Sequence, residues 1–152
     1  MHVLLDADGI DRTLDSLARQ IEADIPAGTP VGVIGIRNRG DVLAARLIER
    51  LERDGLTDVA HGALDITLYR DDLAEKGPNA ILQKTEIDFD ISDRYIVLVD
   101  DVLFTGRSAR AALDALVDLG RPVAIRLAVL VARPGRELPI QADFVGMKVD
   151  QV

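Results

Sequence analysis

Three short apolar runs, PVGVIGI (30–36), YIVLV (95–99) and VAIRLAVLV (123–131), constrain this chain more than any other feature. A run that is apolar at nearly every position has no polar face to turn to water, so it fits a strand covered on both sides. Between these runs the apolar period lengthens. IDRTLDSLARQIEADI puts Ile10, Leu14, Leu17, Ile21 and Ile25 on one helical face, with Arg12, Asp15, Arg19 and Glu22 off it and Pro26 at its end. DVLAARLIERLERDG reads as a second helix, opened by Asp41 and closed by Gly55, and SARAALDALVDLG as a third, stopped by Gly120. HGALDITLYR alternates Leu64, Ile66 and Leu68 against Asp65, Thr67 and Tyr69, the pattern of a strand with one less buried face. Strands that alternate with helices predict an α/β fold, a parallel sheet covered by helices on both faces.

The bulk properties bound the rest. A chain of 152 residues makes one domain, 1–152, and such a domain buries roughly 68–70% of its unfolded surface without needing staples. With no cysteine and only His2 and His61, thiolate and histidine-rich metal sites are excluded, and the composition suits a reducing compartment. MHVLLDADG lacks a basic leader followed by a long apolar stretch, and no later run reaches the roughly 20 residues of a membrane span, so the expectation is a cytoplasmic protein. A net charge of −8 and five aromatic residues argue against a surface that coats nucleic acid. Residues 71–93 lose all periodicity and carry Gly77 and Pro78, a loop of the length that serves as a lid or binding segment.

The densest chemistry lies in VLVDDVLFTGRSARAAL, residues 97–113. Ligands of open α/β sheets bind beyond the carboxyl ends of the strands, which is where this stretch falls. The first N–H groups of a helix have no internal partner and carry partial positive charge. Thr105, Gly106 and Ser108 add hydroxyls and close backbone approach, so the turn can cup a phosphate. Asp100 and Asp101 ahead of it are acceptors, suited to vicinal hydroxyls or to water on Mg²⁺. Taken singly, Asp101 could begin a turn and Thr105 or Ser108 could cap the helix. Taken in order, they describe a cradle for a ribose 5-phosphate.

These residues resemble the phosphoribosyl pyrophosphate (PRPP) motif of the type I phosphoribosyltransferases. With GIRNRG, LDITLYRDDL, and GRPVAIRLAVL followed by RELPIQADFVG, the resemblance runs through nearly the whole chain. It narrows to the branch of that family that joins uracil phosphoribosyltransferase activity to attenuation of pyrimidine operons. It implies the type I phosphoribosyltransferase fold, a central, mostly parallel sheet flanked by helices, with a flexible lid loop. Asp100 and Asp101 would bind the ribose hydroxyls and, with Arg39, form the catalytic group. Thr105, Gly106, Arg107 and Ser108 would hold the 5-phosphate, with Val102, Leu103 and Phe104 in the same substrate-binding stretch. GIRNRG is similar to the diphosphate loop, where Arg37, Asn38, Arg39 and Gly40 would contact the diphosphate through backbone amides and the Arg39 fork. Family members often carry a non-proline cis peptide there. Arg70 and the loop after it resemble the lid, and Arg133 falls near the uracil pocket. Asn38 departs from the small hydroxyl or glycine usual in the family, and Ala132 from a common aspartate. The chain ends at Val152, whereas members of the branch continue through a segment that helps complete the uracil pocket, so that segment is expected to be lacking.

The implied reaction makes UMP and pyrophosphate from uracil and PRPP, with Mg²⁺ carried by PRPP and reaching Asp100 and Asp101 through water rather than by direct ligation. The implied partners are PRPP, uracil, UMP or UTP, a pyrimidine-operon leader RNA, and further copies of the chain in a homodimer or larger assembly. Two alternatives stay open: an RNA-binding attenuator with little catalysis, and a purine phosphoribosyltransferase. Arg12, Arg19, Arg46, Arg50 and Arg53 are interleaved with acids, the pattern of a solvated face rather than an RNA patch. A remoter alternative is a haloacid-dehalogenase-type phosphatase, because LLDADGID imitates its nucleophile motif. Ile10 replaces that motif's threonine, and Asp6 or Asp8 reads more simply as a helix cap.

Overall fold

The computed structural model describes residues 6–66 and 85–149. The run from 30 to 36 becomes β1 (Val31–Ile36), with all six residues buried. β2 (Val59–Leu64), β3 (Tyr95–Leu103), β4 (Ala124–Ala132) and β5 (Phe144–Lys148) complete one sheet in the order β2-β1-β3-β4-β5. Every neighbouring pair is parallel. Among the described residues α1 (Ala7–Asp24) precedes β1, α2 (Gly40–Arg53) joins β1 to β2 and α3 (Arg107–Leu119) joins β3 to β4.

The period of two along the strands sorts side chains between two cores. Val31, Val33, Tyr95, Val97 and Val99 face α1 and α2, where Leu14, Leu17, Ile21, Leu47 and Leu51 pack. Ile34, Ile36, Ile96 and Leu98 face the opposite way, onto Ala112 and Leu116 of α3 and onto Ile91. Burying each such leucine or isoleucine contributes about 1.5–3 kcal/mol, so covering both faces dominates the driving force. At the amino-terminal edge, the Tyr95 hydroxyl donates to Asp24, whose Oδ2 also accepts from Arg126 Nε at 3.0 Å. The end of α1 is thereby pinned to β3 and β4.

Several boundaries differ from the sequence expectation. β3 does not stop at Val99: its ladder with β4 continues through Asp100↔Val129, Val102↔Val131 and Leu103↔Ala132, so both acids lie on the strand. β2 starts at Val59 and ends at Leu64, and the rest of the anticipated strand lies outside the described residues apart from Asp65 and a buried Ile66. Asp41 does not open α2. Arg39 holds the N-cap position at φ 78° without a side-chain cap bond, and Asp41 sits in the first turn. β5 has no counterpart in the sequence reading, because FVGMK is too short to show a period. Its edge is satisfied from outside the sheet: Gln20 Nε2 donates to Val145 O at 3.1 Å and Gln20 Oε1 accepts from Val145 N at 3.3 Å. Asp6 caps α1 by accepting from Gly9 N at 2.8 Å, the simpler of the two roles considered for it. Among the described residues no helix is long and apolar enough to cross a membrane.

From β1 the chain moves outward to β2, then returns to β3 on the other side of β1. The connections leaving the carboxyl ends of β1 and β3 therefore diverge, and a crevice opens between them. Residues 37–39 and 104–106 are those two connections, and Asp100 and Asp101 stand near the end of β3 beside them.

Candidate active site

The loop after β1 is built to lie close to β3. Its Arg37–Asn38 peptide is cis, and Arg39 at positive φ turns directly into α2. Gly40 then packs on the end of β3, where an added Cβ would lie 2.5 Å from Val99 O. Only glycine permits that approach, which brings the uncapped N-terminus of α2 beside Asp100.

The two acids fold back on their own backbone. Asp100 Oδ1 accepts from Asp101 N at 2.8 Å, and Asp101 Oδ1 accepts from Val102 N at 2.8 Å. Asp101 Oδ2 lies 3.5 Å from Arg39 Nη1, and so links the two loops. Arg39 is 82% exposed, its remaining donors open to solvent. Burial pushes the Asp100 carboxyl up to about 8, and the hydrogen bond and negative charge of Asp101 add to the shift. At neutral pH Asp100 therefore holds its proton.

Beyond β3, Gly106 adopts φ 95° as the N-cap of α3, a conformation that a side chain would strain. Thr105 Oγ1 accepts from Arg107 N at 3.2 Å. A cavity of about 320 Å³ opens here, lined among others by Asp100, Leu103, Thr105, Gly106, Ser108 and Glu137. The segment after β4 lies over this turn. Arg133 N donates to Leu103 O at 3.0 Å, and Glu137 N and Leu138 N both donate to Thr105 O, at 2.9 and 3.1 Å. The Arg133 guanidinium sits 4.1 Å from the centroid of the Phe104 ring, and Arg136 donates to Phe104 O. Arg107 Nε donates to Glu137 Oε1 at 2.7 Å.

The structure thus gathers Arg39, Gly40, Asp100, Asp101, Val102, Phe104, Thr105, Gly106, Arg107, Ser108 and Arg133 around one crevice. Asn38 is exposed in the loop. Leu103 is 3% exposed and belongs to the core beneath the site, where packing rather than polar contact is its work. Arg37 behaves differently from Arg39. Its guanidinium is turned to Glu86, 2.8 Å away, and to Asp41 at 3.8 Å. Arg70 and the lid expected around it lie outside the described residues. Glu86 and Glu137 are the neighbours that sequence reasoning missed. Each meets its arginine only through folding, and neither carries a local signal. Among the described residues no three or more metal-ligating side chains cluster.

An acid pair on a central strand, flanked by two helix N-termini at the point where the strand order reverses, is the arrangement of a phosphoribosyltransferase. The phosphoribosyl transferase domain family matches residues 3–151, and the chain belongs to it. Within that family its relatives include the bifunctional protein PyrR of Roseiflexus sp. (strain RS-1), 53% identical over 96% of this chain and 80% of the relative. The bifunctional protein PyrR of Deinococcus radiodurans is 50% identical over 94% of this chain and 78% of its own length. At that identity and coverage the chain is a member of the PyrR branch. Among solved structures, a hypoxanthine phosphoribosyltransferase from Staphylococcus aureus superposes with TM-score 0.75 at 21% identity, covering 98% of this chain and 78% of that one. A hypoxanthine-guanine phosphoribosyltransferase from Bacillus anthracis gives TM-score 0.76 at 23% identity, with 98% and 84% covered. These distant structures share the fold.

Proposed function

We propose that this protein transfers the phosphoribosyl group of PRPP to uracil, forming UMP and pyrophosphate, and that pyrimidine-operon leader RNA is its second partner. The observation that carries the reading is the acid pair Asp100–Asp101 held between the Arg39 loop and the Thr105–Ser108 turn. Membership of the PyrR branch at about half identity supports uracil as the base and a regulatory second role. The purine neighbours share only the fold and do not favour a purine.

In the reaction a bond forms between uracil N1 and C1 of the ribose as the bond from C1 to the pyrophosphate oxygen breaks, and the N1 proton leaves. Positive charge develops on the ribose ring. The chain supplies alignment and charge rather than a covalent nucleophile. Asp100 and Asp101 engage the two ribose hydroxyls, beside the carbon where positive charge develops. The amides of the Asn38–Gly40 turn and the Arg39 fork take the leaving diphosphate. The Thr105–Ser108 turn anchors the 5-phosphate at the start of α3. Asp100 and Asp101 would hold, through water, a magnesium ion that arrives with PRPP, and the ion would offset charge on the leaving group; among the described residues no cluster of three metal-ligating side chains offers it another site.

The arginines of α2 are not a free basic surface for RNA. Arg46, Arg50 and Arg53 are engaged with Asp11, Asp15 and Asp54. The deciding experiment is a nucleobase panel with PRPP and Mg²⁺, with release of pyrophosphate measured. Uracil alone should turn over, and turnover of guanine or hypoxanthine would move the assignment to purines. A gel shift with leader RNA, with and without UMP, tests the second role.

A further inference from the structure

The cavity beneath the Thr105–Ser108 turn contains an acid where an anion is expected to bind. Glu137 Oε1 accepts from Arg107 Nε at 2.7 Å, and Glu137 lines the same space as Thr105, Gly106 and Ser108. The segment that carries Glu137 is fixed in place. The backbone N–H groups of Glu137 and Leu138 both donate to Thr105 O, which ties the segment to the turn. Leu138 and Ile140 also stand 3.4 and 3.5 Å from where a Cβ of Gly106 would be. The backbone that carries this carboxylate is therefore fixed beside the start of α3, where helix polarity favours negative charge.

We infer that Glu137 is a placeholder anion and a specificity determinant of the phosphate cradle: it occupies Arg107 in the free protein and yields it to the incoming 5-phosphate. The inference rests on reading the Thr105–Ser108 turn as a phosphate site. Arg107 and Glu137 are 66% and 51% exposed, so their bond can exchange without unpacking the core. A phosphate monoester dianion carries more charge and more acceptor oxygens than a carboxylate, so it displaces Glu137. A singly charged anion has no such advantage and is refused. Glu137 thereby sets a threshold: affinity for the correct phosphate is reduced, and weaker anions are kept out.

The test is calorimetric titration of the full chain with ribose 5-phosphate, in buffers with and without added chloride. Glu137→Gln should bind ribose 5-phosphate about three- to tenfold more tightly than wild type, become sensitive to chloride, and show a lower KM for PRPP. Glu137→Asp should return toward wild type, while Arg107→Ala should bind more weakly. Unchanged melting temperatures verify that each variant folds. Weaker binding by Glu137→Gln would overturn the inference and make Glu137 a residue that aims Arg107 at phosphate. Unchanged binding would also overturn it and leave an exposed ion pair. Failure of the wild type itself to bind ribose 5-phosphate would instead remove the cradle reading on which the inference stands.

Discussion

The guanidinium of Arg37 lies 2.8 Å from the carboxylate of Glu86, on the residue that bridges antiparallel to Ala63 of β2. Arg37 thus ties the loop after β1 to the edge of the sheet, while Arg39, two residues on, reaches Asp101. Neighbouring arginines in one loop thus meet different carboxylates, one at the sheet edge and one in the acid pair. Arg39→Ala is expected to raise the KM for PRPP by about tenfold or more, through loss of a charge-assisted fork. Arg37→Ala should raise it less. Glu86 is 73% exposed, so the coupling between Arg37 and Glu86 in a double-mutant cycle should stay below about 1 kcal/mol in urea denaturation. An equal kinetic loss in both arginine variants would contradict this difference.

Asp101→Asn removes a negative charge but keeps the shape and the acceptor for Val102 N. Turnover is expected to fall by about 10²-fold or more, as when one preorganised electrostatic partner is lost. Far-UV circular dichroism and melting temperature should stay close to wild type. Wild-type steady-state kinetics in this variant would refute the role given to the acid pair.

The Asp100 carboxyl is raised to about 8, chiefly by burial, and Glu22 near the opposite edge of the sheet is raised to about 7 by burial and the neighbouring Asp54. In the unfolded chain both titrate near 4. Between those values the native state holds protons that the unfolded chain has released. Their contribution to stability is therefore complete below about pH 4 and is lost as pH rises through about 7 and 8. The slope reaches at most about 1.4 kcal/mol per pH unit for each group, less where water screens it. Melting temperatures measured from about pH 5 to 9 should decline with pH, and Asp100→Asn and Glu22→Gln should each flatten the decline. A wild-type slope in both variants would contradict these shifts.

Gly40 admits no Cβ, because Val99 O would lie 2.5 Å away. Gly40→Ala must push α2 and its loop off the end of β3. A loss of about 1–3 kcal/mol is expected in chemical denaturation, together with a raised KM for PRPP. A variant as stable and as active as wild type would show that the two loops need not touch.

Much of the fold was legible before folding. β1 and β4 follow apolar runs, α3 follows the helical period within a residue, and α1 follows it from a start three residues earlier than Ile10. Boundaries failed where a tertiary partner overrides local pattern. Asp100 and Asp101 look like loop residues, yet pairing with β4 carries β3 on to Leu103. Asp41 looks like a cap, yet the turn at Arg39 starts α2 earlier. In the site, the acid pair and the glycine turn were readable because their chemistry is contiguous in sequence. The partners of Arg37 and Arg107 were not, since Glu86 and Glu137 come from other segments.

The sequence by itself determined which segments become buried strands, which become amphipathic helices, and which two loops carry anion-binding chemistry. Those properties arise from hydrophobic period and from residues a few positions apart. The tertiary structure decided that β1 and β3 lie side by side, that their loops face one crevice, and which arginine reaches the acid pair while another reaches Glu86. Those choices depend on strand order and side-chain packing, and a charge has no assigned partner until the fold brings one within reach.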